Sequence, residues 1–390
     1  MSKPILTFED FVKRIIKIVF WVLLFLPVVG VPLYYALDGA FHFPTDIFAL
    51  ATVEPFQFIT FQQNLLSTEP LKTIFALTTF PGFTFVALYS TILMGWVERK
   101  LTAKVQLRTG PMYAGRFEGI AQNLADFFKL LFKEIVIPNG VDRATFVAIP
   151  FALMATAGAL IALLPLTPTI YIANPSVGAV LVFAILGFSP LIVLLAGWAS
   201  NSKYPFLGGL RALHQLVAYE IPLVLSLVGA VLLSGTLNLM GIVTAQSGIW
   251  YILLQPLGAI VFFIGALAEL ERIPFDLPEA DSELVAGWQT EYTSMLFGTF
   301  QLANFSRMYI LAGLFTTFFL GGWLGPGPVP PIAWFMIKTT LVMIAMMLPR
   351  SIVPRVRIDQ LLRAGWVKLL ALSFANIFIT MVIISLGVVH

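Results

Sequence analysis

The chain has 390 residues, 59% of them hydrophobic and only 11% charged, with a formal net charge of +3. A soluble domain cannot hide so much apolar surface, so lipid must be the solvent for much of the chain, and the expected class is an all-α polytopic membrane protein. With no cysteine, and histidine only at His42, His214 and His390, the sequence excludes disulfides, thiolate metal sites, iron–sulfur ligation and paired intramembrane haem ligands in this chain.

The N-terminus does not read as a signal peptide. Glu9 and Asp10 precede the basic residues and no small-residue cleavage site closes the apolar run, so the segment is expected to be retained. Nine stretches reach the roughly 20 residues that cross a bilayer, at about 13–37, 71–97, 144–166, 176–198, 217–236, 249–269, 307–324, 332–349 and 367–388. Between the first two, segment 38–70 carries Asp38, Asp46, Glu54 and Glu69 among many aromatics and suits an interfacial amphipathic piece.

The bases test that count. Of 23 Lys and Arg, 21 lie in the N-terminal tail or in loops 98–143, 199–216, 270–306 and 350–366 with their flanks, while loops 167–175, 237–248 and 325–331 carry no charge. By the positive-inside rule the N-terminus and the basic loops face the cytoplasm or matrix, and an odd number of spans puts His390 outside. Lys338 falls inside a span; it either snorkels to the surface or, as the preferred reading, faces a polar interior cavity.

Loop 98–143 opens with Glu98 and Arg99 where a helix leaves the bilayer, which reads as a local ion pair. Further on, Leu124, Phe127, Phe128, Leu131 and Phe132 form an apolar stripe flanked by Asp126, Lys129, Lys133 and Glu134. That spacing predicts an amphipathic helix, lying on lipid or under a docked partner. In the second inward loop, His214 is expected to be an ordinary surface or satisfied histidine. Glu220 is placed near the first turn of its span, where a carboxylate is either favoured by the helix N-terminus or serves as a proton station, with Tyr219 as a hydrogen-bond donor beside it. The last loop carries Arg350, Arg355, Arg357, Arg363 and Asp359, a pattern that suits lipid headgroups or an acidic partner surface.

The third inward loop holds the densest chemistry. Seven of the chain's 20 acidic residues fall between positions 269 and 291: Glu269, Glu271, Asp276, Glu279, Asp281, Glu283 and Glu291. Arg272 is the one base among them. Carboxylates crowded against a low-dielectric region cannot all stay ionised, so such a set titrates together and can store protons. The plain alternative is a solvated loop.

The string LAELERIPFDLPEADSELVAGWQTEY, with WVERK at 96–100, QLRTGP at 106–111, ADFFKLLFKE at 125–134, GWASNSKYPFLGGLRA at 197–212, AYEIP at 218–222 and PRVRIDQ at 354–360, resembles the quinone-site membrane subunit of respiratory complex I, known as its 1 or H subunit. The resemblance covers about residues 71–390 as one helical membrane domain and leaves 1–70 as an extension with an extra transmembrane helix. It implies a multi-pass protein of the plasma membrane or an organelle's inner membrane, acting as a subunit of a quinone-reducing, ion-translocating NADH dehydrogenase-type complex. Quinone would be the substrate, with no metal-bound or covalent cofactor in this chain. The implied partners are iron–sulfur and quinone-site subunits of the peripheral arm, small membrane subunits, antiporter-like pumping subunits and lipids; no nucleic acid is expected.

Carried over by motif, Glu98, Arg99, Arg108, Asp126, Lys129 and Glu134, with Arg272, Phe275 and Asp276, match the quinone chamber. Arg350, Arg355, Arg357 and Asp359 match the basic loop at the partner interface. Glu279, Asp281, Glu283 and Glu291, then Glu269 and Glu220 deeper in the membrane, match the proton relay. Three positions depart from the family pattern: Asn304-Phe305 replaces a glutamate–tyrosine, Ile358 a tyrosine and Leu348 a tryptophan. A related subunit of an energy-converting hydrogenase is the first rival, disfavoured by the intact PFDLPEADSEL stretch. A stand-alone proton-coupled transporter is the second.

Overall fold

A computed structural model describes residues 83–115, 118–168, 171–278, 281–326 and 329–386. The expected span at 13–37, segment 38–70 and the start of the span at 71–97 lie outside the described residues, as do Glu279 and His390.

Every regular element among the described residues is helical. A first rod is made of α1 (Phe83–Leu88), a π-helical turn at Tyr89–Met94 and α2 (Gly95–Val105). The interfacial helix α3 (Gln122–Phe132) follows, then α4 (Arg143–Leu163), α5 (Gly178–Leu186), α6 (Ser189–Ala199) and the long α7 (Lys203–Ser234). After the short α8 (Leu239–Ala245) and α9 (Tyr251–Leu254) come α10 (Pro256–Glu269), α11 (Asp281–Leu284), a 3-10 turn at Gly287–Gln289 and α12 (Ser294–Phe319). The chain closes with α13 (Pro331–Met347), α14 (Pro349–Ile352), α15 (Ile358–Arg363), a π-helical turn at Ala364–Leu369 and α16 (Leu370–Ser385).

Among the described residues, five helical stretches are long and apolar enough to cross a membrane: Arg143–Leu163, Gly178–Ala199, Lys203–Ser234, Pro331–Ile352 and Ile358–Ser385. The apolar α10 has only 14 residues, about 21 Å at 1.5 Å per residue. Helix α12 runs through 26 residues and begins well before the span expected at 307–324. Its start matters below, because it moves Arg307 from a loop flank into a helix interior.

Local chemistry sets the boundaries. Helix α7 stops at Gly235, whose left-handed φ of 64° suits a residue without Cβ. Asn238 caps α8 by accepting from the Met240 and Gly241 N–H groups at 2.8 and 3.4 Å. Pro256 opens α10, where its missing N–H costs nothing. Helix α7 is the central post, packed along α6, α10 and α16, while α12 packs on α4, α13 and α3.

The segment after α10 folds back into one end of this bundle. Trp288, fully buried, meets Phe300 edge-to-face at 4.9 Å, and Tyr292 stacks on Phe146 at 4.1 Å. Gly208 on α7 makes room for it: a Cβ there would sit 2.7 Å from the Trp288 main-chain nitrogen.

Candidate functional site

A cavity of about 590 Å³ opens between the first rod, α3 and the N-terminal half of α12. Its wall is made possible by the π-helical turn, whose wider winding leaves carbonyls without their usual partners. Asn123 of α3 donates to two of these, Thr91 O at 3.0 Å and Ile92 O at 3.1 Å. Gly95 permits that approach, since a Cβ there would lie 2.6 Å from the Asn123 amide nitrogen. Phe127, Leu130, Phe297, Leu302 and Phe305 supply the apolar lining, and Glu98, Arg99, Arg108, Asp126, Lys129 and Arg350 supply the charges. Four bases against two acids leave the lining formally positive.

Six chamber or interface residues expected from the sequence therefore share one cavity, but not in the expected pairing. Glu98 does not pair with Arg99. Successive residues on a helix diverge by about 100°, and Arg99 instead bonds Asp126 on α3 at 2.7 Å. Glu98, 3% exposed, holds Arg272 at 2.6 Å and also bonds Arg350. Burial alone would raise the Glu98 carboxyl, but the two guanidinium groups outweigh it and hold the group below its usual value. Asp126 is also held low, as Arg99 and a hydrogen bond from Gln122 at 3.2 Å overcome its partial burial.

Arg272 stacks over Phe305 at 5.3 Å. Phe275 is buried against Tyr219, with ring centroids 5.2 Å apart, and Asp276 bonds Arg355 at 2.8 Å. These three stand beside the cavity rather than lining it. Glu134, Arg357 and Asp359 are exposed and away from its wall.

The acidic series divides. Glu283 lies at the surface and bonds Arg211 at 2.5 Å, Glu291 is half-buried, and the Glu279 and Asp281 side chains lie outside the described residues. Glu269, 1% exposed, ends α10 and bonds Arg307 at 2.5 Å. Glu220 is not near a helix start: α7 begins at Lys203, so Glu220 lies almost five turns along it and the helix N-terminus is too far away to stabilise it. Its carboxylate fits at the break between α5 and α6, where a Cβ on Gly187 would lie 3.0 Å from Oε1. Tyr219 does not serve it, donating instead to Leu361 O at 3.0 Å.

Two residues join the site that the motifs do not single out. Glu271, 6% exposed, accepts from the Trp288 indole N–H at 3.1 Å, and burial pushes its carboxyl up to about 7 against the pull of Arg307. Arg307, 4% exposed, sits inside α12. Hydropathy places it at the edge of the span expected at 307–324 and gives no sign that the helix starts before it.

Lys338 is engaged by main-chain carbonyls. Its ammonium donates to Leu320 O at 2.6 Å, Gly322 O at 3.2 Å and Leu324 O, and lies 4.2 Å from the centre of the Trp250 ring. It caps the C-terminal end of α12, where a cation meets the negative pole of the helix.

A sequence model of the NADH dehydrogenase family matches residues 78–381. The chain is 43% identical over 317 residues to the H subunit of NADH-quinone oxidoreductase from Anoxybacillus flavithermus, covering 77% of this chain and 95% of that one. It is 42% identical over 322 residues to the protein of that name from Geobacillus thermodenitrificans, covering 78% and 97%. With the Bacillus anthracis protein it shares 44% identity over 289 residues, covering 73% and 87%.

Proposed function

Because this chain belongs to the NADH dehydrogenase family, we propose that it walls the quinone chamber of a complex I-type oxidoreductase and carries the first acidic steps of proton coupling. It acts as a membrane subunit, with the redox centres on its partners. Residues 71–390 form the family unit, and residues 1–70 add an extra span. The nine-span topology places the basic loops toward the peripheral arm and the uncharged loops on the opposite side, in the plasma membrane or an organelle's inner membrane.

One observation carries the coupling part of this reading. Glu269 to Arg272 are four consecutive residues; Arg272 holds Glu98 on the cavity wall, while Glu269 and Glu271 turn inward to Arg307 and Trp288. A change of charge in the cavity therefore acts on buried carboxylates through one short stretch of chain. The cavity's size falls within the usual range for small-ligand sites, and its mixed lining suits a planar, largely apolar ring with polar oxygens.

In this mechanism two electrons arrive from the iron–sulfur partner and two protons are taken up, converting quinone to quinol. Negative charge developing on the quinone oxygens is met by the positive lining, chiefly Arg108, Lys129 and Arg350, with Arg272 behind Glu98. Withdrawal of protons is then answered along the relay from Glu279 to Glu291 and on to Glu269 and Glu220. The resulting charge rearrangement passes toward the antiporter-like subunits.

A photoreactive quinone analogue tests the chamber. It should label peptides in 98–143 and 270–306 of the native complex, with labelling suppressed by excess quinone. Absence of labelling would favour a hydrogenase-type subunit. Glu220→Gln and Glu279→Gln in reconstituted complex test the relay, and unchanged proton stoichiometry in both would defeat it.

A further inference from the structure

Arg307 belongs neither to the cavity wall nor to any loop. It occupies the interior of α12 between Ser306 and Met308, both fully buried. Its guanidinium donates twice to one residue, to Glu269 Oε1 at 2.5 Å and to the Glu269 carbonyl at 3.2 Å. Its charge also acts on Glu220 of α7 and on Glu271 in the loop after α10. One cation thus bonds one carboxylate and lies within electrostatic reach of two more, one from the same short stretch after α10 and one from α7. Of the neighbouring charges, Asp276 acts on Glu271, while Arg272 is turned away to Glu98 and Phe305. Position 304, one turn earlier on α12, is Asn304 and brings no acid of its own.

The second oxygens of two of these acids, Glu269 Oε2 and Glu271 Oε1, are buried and accept no hydrogen bond. A buried group of charges is held near neutrality, because each uncompensated charge carries the full cost of leaving water. Arginine stays protonated under all ordinary conditions. Three carboxyls around one arginine are therefore neutral with two protonated and one ionised. Without the arginine they are neutral only with all three protonated.

We infer that Arg307 is a positioning residue that fixes the number of protons held by Glu220, Glu269 and Glu271, leaving one of the three ready to accept. The inference rests on the relay reading given above. A purely structural role, tying α12 to α10, would leave that number alone.

The test is made on the assembled complex in membranes, reading the infrared band of protonated carboxyl groups at neutral pH. Arg307→Met should gain one protonated carboxyl per complex, and Arg307→Met combined with Glu269→Gln should lose that gain. Arg307→Lys should keep the wild-type band, and the pH at which proton pumping uncouples from quinone reduction should move in Arg307→Met but not in Arg307→Lys. Should Arg307→Met fail to assemble, Arg307→Gln, which keeps N–H donors toward Glu269, reads the same quantity. A wild-type band and pH profile in an assembled neutral variant would overturn the inference. If Glu220→Gln still uncouples pumping in that case, the relay reading stands and this inference alone falls.

Discussion

Glu98 and Arg99 are neighbours in the chain yet bond to different elements: Glu98 joins the first rod to Arg272 and Arg350, while Arg99 joins it to α3. A buried carboxylate holding two guanidinium groups does its work by holding three segments in register, since the net stability of buried ion pairs is small even though breaking one is costly. Glu271 has the opposite electrostatics, because burial pushes its carboxyl up to about 7 from an ordinary 4.5. A raised carboxyl favours the folded protein while neutral. Its stabilising contribution is complete below the ordinary value and is lost as the pH climbs through about 7. Glu271→Gln, which stays neutral and can still accept from Trp288, should therefore raise the melting temperature of the purified complex more at pH 8 than at pH 6. An equal effect at both pH values would show that Glu271 does not titrate in this window.

Among the elements, α12 carries the most duties. Its N-terminal half lines the cavity through Phe297 and Phe305, its middle places Arg307 against Glu269, and its C-terminal end is closed by Lys338. Lys338 satisfies main-chain carbonyls that no helical N–H can reach, and does so from the neighbouring α13. Lys338→Met leaves those carbonyls unpaired in a low-dielectric region. The expected loss is on the order of 2 kcal/mol, read as a lower melting temperature of the complex, and an unchanged value would show that other donors replace the ammonium. Helix α3 behaves differently. Its Phe128 and Phe132 remain exposed while Phe127 turns to the cavity, so this element both lines the cavity and leaves an apolar edge uncovered.

For the whole molecule, charge asymmetry is the organising fact. All bases in the described loops fall on one side of the proposed topology, and the residues that line the cavity come from that same side. The absence of cysteine makes this testable without background. A membrane-impermeant thiol reagent should modify Ser247→Cys from outside in right-side-out vesicles, and Asn139→Cys only in inverted vesicles stripped of the peripheral arm. Both positions are exposed in the chain, so the reverse pattern would invert the proposed topology.

Class, membrane environment and six residues that share one cavity were legible in the sequence, because hydropathy and motif spacing are local properties. The amphipathic α3 was legible for the same reason, its stripe repeating at helical spacing. Pairing was not. Glu98 reaches Arg272 and Arg350 across more than 170 positions, and Lys338 finds carbonyls on another helix. Arg307 falls at a loop flank by hydropathy, and only packing shows α12 continuing unbroken through it. Charge partners are chosen by proximity in three dimensions and by the cost of leaving any of them buried alone, and neither quantity is written along the chain.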